Sequence, residues 1–217
     1  MTLFDIHTHT PHNINCDVYS YKYIENTFPD KFNDTLGTHN YFSCGIHPWY
    51  ASNWRYKLAL LEEIANNNSV LAIGECGLDK VRGLSIDLQI NIFKAHIKIS
   101  ERVQKPLIIH CVRAWDMLLS ICKESKPTQT WIVHGFRGKP MLAKSLTLSG
   151  MSLSFGGVFN SESISVTPID KIFLETDDSD IDIFDVYNKV AGEMNISIDL
   201  LANKVEDNVK KVFGRIV

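Results

Sequence analysis

Short apolar runs alternate with amphipathic segments along most of this chain, and this alternation limits the fold more than any other feature. The runs at residues 70–75, 106–110 and 131–134 are almost continuously apolar, as in strands that are covered on both faces of a sheet. Residues 86–97 place apolar side chains three and four apart, which predicts a helix with one buried stripe. The alternation predicts an α/β fold with a parallel sheet and helices outside it.

Eight strands are predicted when a tyrosine-rich segment at residues 17–24 is counted with seven clearer runs. The other predicted strands cover residues 4–9, 41–46, 70–75, 106–110, 131–134, 151–157 and 171–177, and further helices are predicted at residues 57–66, 114–123 and 201–213. Eight strands suit a TIM-type (β/α) barrel, here somewhat trimmed and distorted because 217 residues fall short of the roughly 250 typical of that fold. We expect residues 1–217 to form a single barrel domain. An open doubly wound sheet is the alternative, but no glycine-rich phosphate loop follows the first strand.

The composition indicates an ordinary globular protein. A net charge of -3 gives no reason to expect tight, sequence-independent binding of a long nucleic acid, which usually requires a basic excess. Five cysteines without a Cys-x-x-Cys pair favour reduced thiols in a cytoplasmic protein. The N-terminus lacks a signal-peptide pattern, and no run is long enough to span a membrane. We therefore expect neither a membrane location nor an obligate protein partner.

Metal-binding residue types stand at the ends of several predicted strands. In the first strand, alternation places Asp5, His7 and His9 on one face, although His-x-His alone is a weak signal. The C-terminal ends of the strands in a barrel lie around one face, and enzymes with this fold have their active sites there. Each residue taken singly is explained equally well as a polar group at the end of a strand. For all of them, that explanation requires four strand ends besides the first to carry metal-binding residue types by chance. The sequence predicts that six of these side chains converge on metal, namely His7, His9, Glu75, His110, His134 and Asp177.

Four imidazoles and two carboxylates exceed the needs of one tetrahedral ion and suit a pair of ions about 3.5–4 Å apart. Glu75, on a central strand, is the predicted bridging ligand. Nitrogen and oxygen donors without thiolate favour Zn, Mg, Mn, Ni or Fe. A water between two cations becomes a hydroxide nucleophile near neutral pH, and Asp177 is expected to bind one metal and to steer that hydroxide or take its proton.

Several motifs resemble the TatD family of metal-dependent hydrolases, and they occur in the family's order over nearly the whole chain. The specific ones are Ile-Gly-Glu-Cys-Gly-Leu-Asp at residues 73–79 and Leu-Glu-Thr-Asp at residues 174–177. Weaker matches are residues 5–9, 45–48, 106–110, 134–138 and 212–214, with Gln89, Phe93 and Asn208.

The resemblance implies a distorted TIM barrel with two metal ions. His7, His9, Glu75 and Asp177 would hold one ion, and Glu75, His110 and His134 the other. Family members are typically magnesium- or zinc-dependent deoxyribonucleases that act on phosphodiesters.

Departures from the family pattern concern the predicted rim of the site rather than the metal ligands. Residues 10–40 are shorter than usual, Val112 stands where an arginine is common, and acidic residues 178–182 replace a proline-containing loop. Arg113 and Arg137 are expected to pair with phosphate oxygens. The resemblance therefore supports the chemistry better than the substrate.

Other side chains near the predicted site have open roles. His47 is expected either to donate a hydrogen bond to phosphate or to be structural, and Asp79 to orient a metal ligand. Trp49 and Trp54 either stack on a base or belong to the core. His96 is interpreted as structural or on the surface.

The leading hypothesis is a metal-dependent phosphodiester hydrolase, a TatD-like deoxyribonuclease acting on DNA ends or short oligonucleotides. The first alternative is a two-metal hydrolase of small phosphate esters, or of amides or lactones. The second is a metal-stabilised binding protein without activity. The complete ligand set argues against the second, because a binding protein has no need of an open two-metal site.

Overall fold

A computed structural model describes residues 1–11, 18–33 and 41–214. It divides into two compact units. Unit 1 comprises Met1–Glu25 and His134–Val217, and unit 2 comprises Asn26–Val133. The single domain expected over residues 1–217 stays a prediction. Among the described residues, the structure has no helix that is both long enough and apolar enough to cross a membrane.

Eight strands hydrogen-bond in sequence order within one sheet. They are β1 (Thr2–Thr8), β2 (Ser20–Thr27), β3 (Tyr41–Cys44), β4 (Val70–Asp79), β5 (Leu107–Val112), β6 (Trp131–Val133), β7 (Ser152–Phe155) and β8 (Ile172–Leu174). The recorded registers, such as Thr2 with Ser20 in unit 1 and Ile108 with Ile132 in unit 2, are parallel. The predicted TIM-type fold is confirmed. The tyrosine-rich segment forms β2 from Ser20 onward, whereas its predicted start at residue 17 lies outside the described residues.

Strand β4 is longer than predicted. The predicted strand ends at Glu75, but the observed strand continues to Asp79. Its register against β5 shifts between Ile73 and Cys76. At Gly77, a Cβ would overlap the carbonyl oxygen of His110, so only glycine lets the two backbones pass this closely. The predicted strand end at residue 75 was wrong because Gly77 permits the close approach of β5 and does not end the strand.

Seven α-helices lie in the described part of the chain, five between strands and two after β8. They are α1 (Trp54–Ile64), α2 (Ile86–Val103), α3 (Trp115–Ser125), α4 (Pro140–Leu148), α5 (Ser161–Val166), α6 (Ile183–Met194) and α7 (Ile198–Phe213). The four predicted helices correspond to α1, α2, α3 and α7, with boundaries shifted by a few residues. Ser85 stands at the N-cap position of α2. Helix α6 was not predicted. Its N-cap is Asp182, whose side chain accepts a hydrogen bond from the Phe184 N–H at 2.8 Å, so the acidic run ends in a helix cap.

Helix α7 fixes the start of β8 in unit 1. Its buried stripe includes Leu201, Val205 and Val209. From the same helix, Asn208 Nδ2 donates to the carbonyl oxygens of Ile169 and Ile172, at 2.8 and 2.9 Å. These bonds hold the segment that leads into residues 175–177.

In unit 2, His96 of α2 holds the segment that follows β3. Its Nδ1 donates to the Ile92 carbonyl at 2.8 Å, and its Nε2 accepts the Ile46 N–H at 3.0 Å. This pairing requires a neutral ring. Burial lowers the pKa of His96 to about 4, although the bond to Ile92 acts in the opposite direction. The structural role foreseen for His96 is thus found in the core rather than on the surface.

We predict that His96 makes the protein sensitive to acid. The unfolded chain binds a proton at the ordinary pKa of 6.5, whereas the folded chain resists it until pH is about 4. Stability present above pH 6.5 is therefore lost as pH falls toward 4, by about 3 kcal/mol. In His96→Gln, the unfolding free energy between pH 7 and 4.5 should fall less steeply than in the wild type. Urea titrations at each pH measure this, and parallel curves for the two proteins would contradict it.

Candidate metal centres

The ends of β1 and β8 bring three predicted ligands together in unit 1. The Asp177 N–H donates to the His7 carbonyl, and the His9 N–H donates to the Asp177 carbonyl, both at 2.9 Å. Asp177 has φ +58°, in the left-handed region that short polar residues tolerate best. Its Oδ1 lies 3.5 Å from His7 Nε2 and 3.6 Å from His9 Nε2. The backbone thus places one carboxylate beside two imidazoles.

His134, just after β6, completes this group. Its ring centroid lies 4.4 Å from that of His7. Ligand atoms of His7, His134 and Asp177 lie within 4.8 Å of one another. We call His7, His9, His134 and Asp177 the unit 1 cluster.

Glu175 supports the unit 1 cluster and was not predicted as a site residue. Its side chain is fully buried. Its Oε1 accepts the Gly135 N–H at 2.5 Å and lies 3.5 Å from His134 Nδ1. The available signal was its alternation with Asp177, which places both side chains on one strand face.

Asp5 does not join the unit 1 cluster, although it shares a predicted strand face with His7. Its carboxylate accepts the Thr176 hydroxyl at 2.6 Å and the backbone N–H groups of Thr176 and His7, both at 3.2 Å. Burial raises the pKa of Asp5 to about 7, and the bonds from Thr176 offset part of that rise. Asp5 therefore links β1 by hydrogen bonds to the segment that follows β8.

Unit 2 carries a second group around Glu75 of β4. Glu75 Oε1 lies 3.0 Å from His110 Nδ1 and 3.1 Å from His47 Nε2. Ligand atoms of these three residues lie within 4.8 Å of one another, and we call them the unit 2 cluster. The other ring nitrogen of His47, Nδ1, accepts the Trp49 N–H at 3.0 Å. A neutral His47 therefore carries its proton on Nε2, which makes it a donor toward Glu75.

Asp79 and Trp49 orient His110. Asp79 Oδ2 lies 3.2 Å from His110 Nε2 and accepts the Trp49 indole N–H at 2.6 Å. Its Oδ1 accepts the N–H groups of Val81 and Arg82 at 2.7 and 3.0 Å. Burial alone would raise the pKa of Asp79, but these hydrogen bonds outweigh it and lower the pKa. An ionised Asp79 keeps the proton of His110 on Nε2 and leaves Nδ1 without a proton, the form in which an imidazole nitrogen can bind a metal.

The donor sets of both clusters suit a divalent ion. Two ligands at about 2.0–2.1 Å from one ion are at most about 4.2 Å apart, and spacings within 4.8 Å approach that limit. Both clusters consist of imidazole and carboxylate groups. The neighbouring thiols of Cys76 and Cys111 are buried, and burial raises their pKa values, which disfavours thiolate ligands. The ligand roles of the six predicted residues, and the bridging role of Glu75, stay predictions.

The predicted substrate-binding residues are placed differently. Arg137 is exposed and lines a pocket of about 180 Å³ in unit 1, together with Glu175, Asp177, Asp178 and Lys189. Arg113 is exposed just after β5, with φ +52°. His47 lies within the unit 2 cluster itself. Trp49 is 37% exposed, whereas Trp54 is partly buried against the core around Ile46.

We predict that Trp49→Phe weakens metal binding. The change retains an aromatic ring but removes the N–H that holds Asp79 Oδ2, so His110 is less firmly oriented. Loss of such an outer hydrogen bond costs about 10–100-fold in metal affinity. Competition with a chromophoric chelator measures the affinity, and Trp54→Phe is the matched control. Equal affinity in Trp49→Phe and wild type would show that Trp49 does not act through Asp79.

A family model described as TatD related DNase matches residues 30–214. An uncharacterized metal-dependent hydrolase from Buchnera aphidicola is 32% identical over 194 residues, covering 79% of this chain and 73% of the relative. A protein named 3'-5' ssDNA/RNA exonuclease TatD, from Erwinia billingiae, is 32% identical over 146 residues. That match covers 62% of this chain and only 56% of the relative, little more than half its length.

Solved structures agree on the fold. A TatD homolog from Escherichia coli superposes with a TM-score of 0.80 at 21% identity, covering 89% of this chain and 86% of that one. A TatD family hydrolase from Entamoeba histolytica gives a TM-score of 0.73 at 19% identity, with 98% of both chains covered.

Proposed function

Because the chain belongs to the family of TatD-related DNases, we propose that it is a metal-dependent hydrolase that cuts phosphodiester bonds at DNA ends and in short single strands. The observation that carries the proposal is the pair of clusters, one in each unit, built from imidazoles and carboxylates at ligand spacing. Family relatives named as single-strand exonucleases support the same reaction.

We propose that His7, His9, Glu75, His110, His134 and Asp177 hold two divalent ions, with zinc, magnesium, manganese and nickel as the candidates. Bound there, such ions would lower the pKa of a water and would offset negative charge on the phosphate oxygens. Asp177 takes a proton during attack, since its carboxylate stands between two imidazoles and lines an open pocket. His47, with its proton on Nε2, can donate a hydrogen bond, and Arg137 pairs with a phosphate oxygen.

The charge distribution favours short or terminal substrates. Arg137 lines the unit 1 pocket together with Asp178, and Asp180 and Asp182 follow in the sequence. A duplex presents one charge about every 1.7 Å of axis, so these acids repel a long strand laid across them. A single terminal phosphate avoids most of this repulsion. The same reasoning extends the proposed substrates to small phosphate esters.

A cytoplasmic location is part of the proposal. Cys44, Cys76 and Cys111 are free and buried, and such cysteines are typical of a reducing compartment.

We predict preferential cutting of ends, which an end-labelled short oligonucleotide and a closed circular duplex can test at several salt concentrations. The oligonucleotide should be degraded and the circle left largely intact, with a shallow dependence on salt because few phosphates are contacted. Steep salt dependence together with efficient nicking of the circle would refute this substrate preference. A parallel screen of nucleotides, small phosphate esters, amides and lactones separates the proposed reaction from its alternatives.

A further inference from the structure

Two exposed aromatic rings border the unit 2 cluster. Trp49 and Tyr50 lie in the turn after His47 and are 37% and 48% exposed. The Trp49 ring centroid is 5.5 Å from that of His110, and the Tyr50 ring centroid is 5.5 Å from that of His47. Large aromatic side chains that stay exposed beside candidate catalytic groups are available to a substrate.

Phe28 adds a third ring to Trp49 and Tyr50, and we call these three rings the aromatic row. The centroids of Trp49 and Tyr50 are 6.4 Å apart, and those of Tyr50 and Phe28 are 5.5 Å apart. Neighbouring rings are turned by 69° and 82°, so they present separate faces rather than one column. Their spacing exceeds the 3.4 Å rise between stacked bases of one DNA strand. Bases that stack on two of these rings therefore cannot remain stacked on each other.

Positive charges lie over two rings of this row. The Arg82 guanidinium lies over the Trp49 ring, 4.2 Å from its centroid, and the Lys31 ammonium lies over the Phe28 ring, 5.3 Å from its centroid. Both side chains are exposed. The acidic Asp30 nearby is paired with Lys57 at 3.5 Å. Aromatic platforms with flanking cations are the usual means of holding single strands regardless of sequence.

We propose that Trp49 and Tyr50 form a stacking site for the unpaired bases of a single-stranded nucleic acid, with Arg82 and Lys31 attracting its phosphates. The inference rests on the proposed function, because it places the strand beside the unit 2 cluster. It adds that recognition uses base faces, so that paired bases in a duplex are excluded and sequence matters little.

Binding without cleavage tests the stacking site. A dye-labelled hexathymidylate is compared with an abasic strand of the same length, which keeps the phosphates and lacks the bases. Fluorescence anisotropy is measured in EDTA for the wild type, Tyr50→Ala and Tyr50→Phe. Tyr56→Ala is the matched control, since Tyr56 is an equally large ring, 63% exposed, on α1.

The wild type should bind the hexathymidylate on the order of ten-fold more tightly than the abasic strand. Tyr50→Ala should lose most of this preference without weakening abasic binding, whereas Tyr50→Phe and Tyr56→Ala should keep it. Arg82→Gln should weaken both strands alike. Equal affinity of the wild type for the two strands, absence of binding, or an equal loss for both strands in Tyr50→Ala would overturn the proposal.

Hydrolysis assays with added metal separate the two proposals. Base-dependent binding without metal-dependent hydrolysis would refute the proposed function and leave the stacking site standing. Hydrolysis of base-bearing and abasic strands at equal kcat/KM would refute the stacking site and leave the proposed function standing.

Discussion

Removal of divalent metal by EDTA is expected to reduce phosphodiester hydrolysis by at least about 1,000-fold, because metal ions contribute several kcal/mol of charge stabilisation in the transition state. Elemental analysis of the purified protein should find up to two ions per chain. Adding zinc, manganese, magnesium or nickel singly to the stripped protein should restore activity and identify the effective metal.

The variant Glu75→Gln refines this experiment. Loss of both ions would support the predicted bridging carboxylate, and loss of one would indicate that Glu75 serves a single site. Asp87→Asn is a suitable control, since Asp87 is an exposed acid in the first turn of α2. A protein that contains no metal and hydrolyses equally well in chelator would remove the basis of the proposed function.

The second large effect is expected from Asp177→Asn, which should lower kcat about 100- to 1,000-fold. The amide can still offer an oxygen but cannot accept a proton. Metal content should therefore fall less than the rate does. Asp185→Asn, a change to an exposed acid in the first turn of α6, is the matched control and should retain most activity.

Steady-state kinetics and elemental analysis of the two variants give the comparison. Full turnover by Asp177→Asn would exclude proton transfer to this carboxylate. A parallel loss of rate and metal would instead reduce its role to that of a ligand.

The strands were predictable because buried parallel strands appear in the sequence as continuous apolar runs. Their C-terminal ends were not, since β4 and β5 continue past Glu75 and His110, whereas β8 stops at Leu174, three residues before Asp177. Glu175 was missed, although its alternation with Asp177 was visible, because only residues at predicted strand ends were assigned to the site.

The remaining differences between prediction and structure arise where distant segments meet in the folded chain. At Gly77, β5 leaves no room for a side chain, and the local sequence does not show this close contact. The Trp49–Asp79–His110 arrangement likewise joins Asp79 to residues 30 and 31 positions away along the chain. A sequence pattern shows the ligand types, whereas the hydrogen bonds that orient them appear only in the folded chain.

The division into units has a consequence for the order of folding during synthesis. Unit 2 is continuous in sequence, whereas unit 1 combines Met1–Glu25 with residues from His134 onward. The hydroxyls of Thr8 and Thr176, which are hydrogen-bonded to each other, are 168 residues apart. At 5–20 residues per second, a ribosome takes roughly ten to thirty seconds to cover that separation. His7 and His9 therefore emerge long before Asp177, and they cannot meet it until the residues between them have been made.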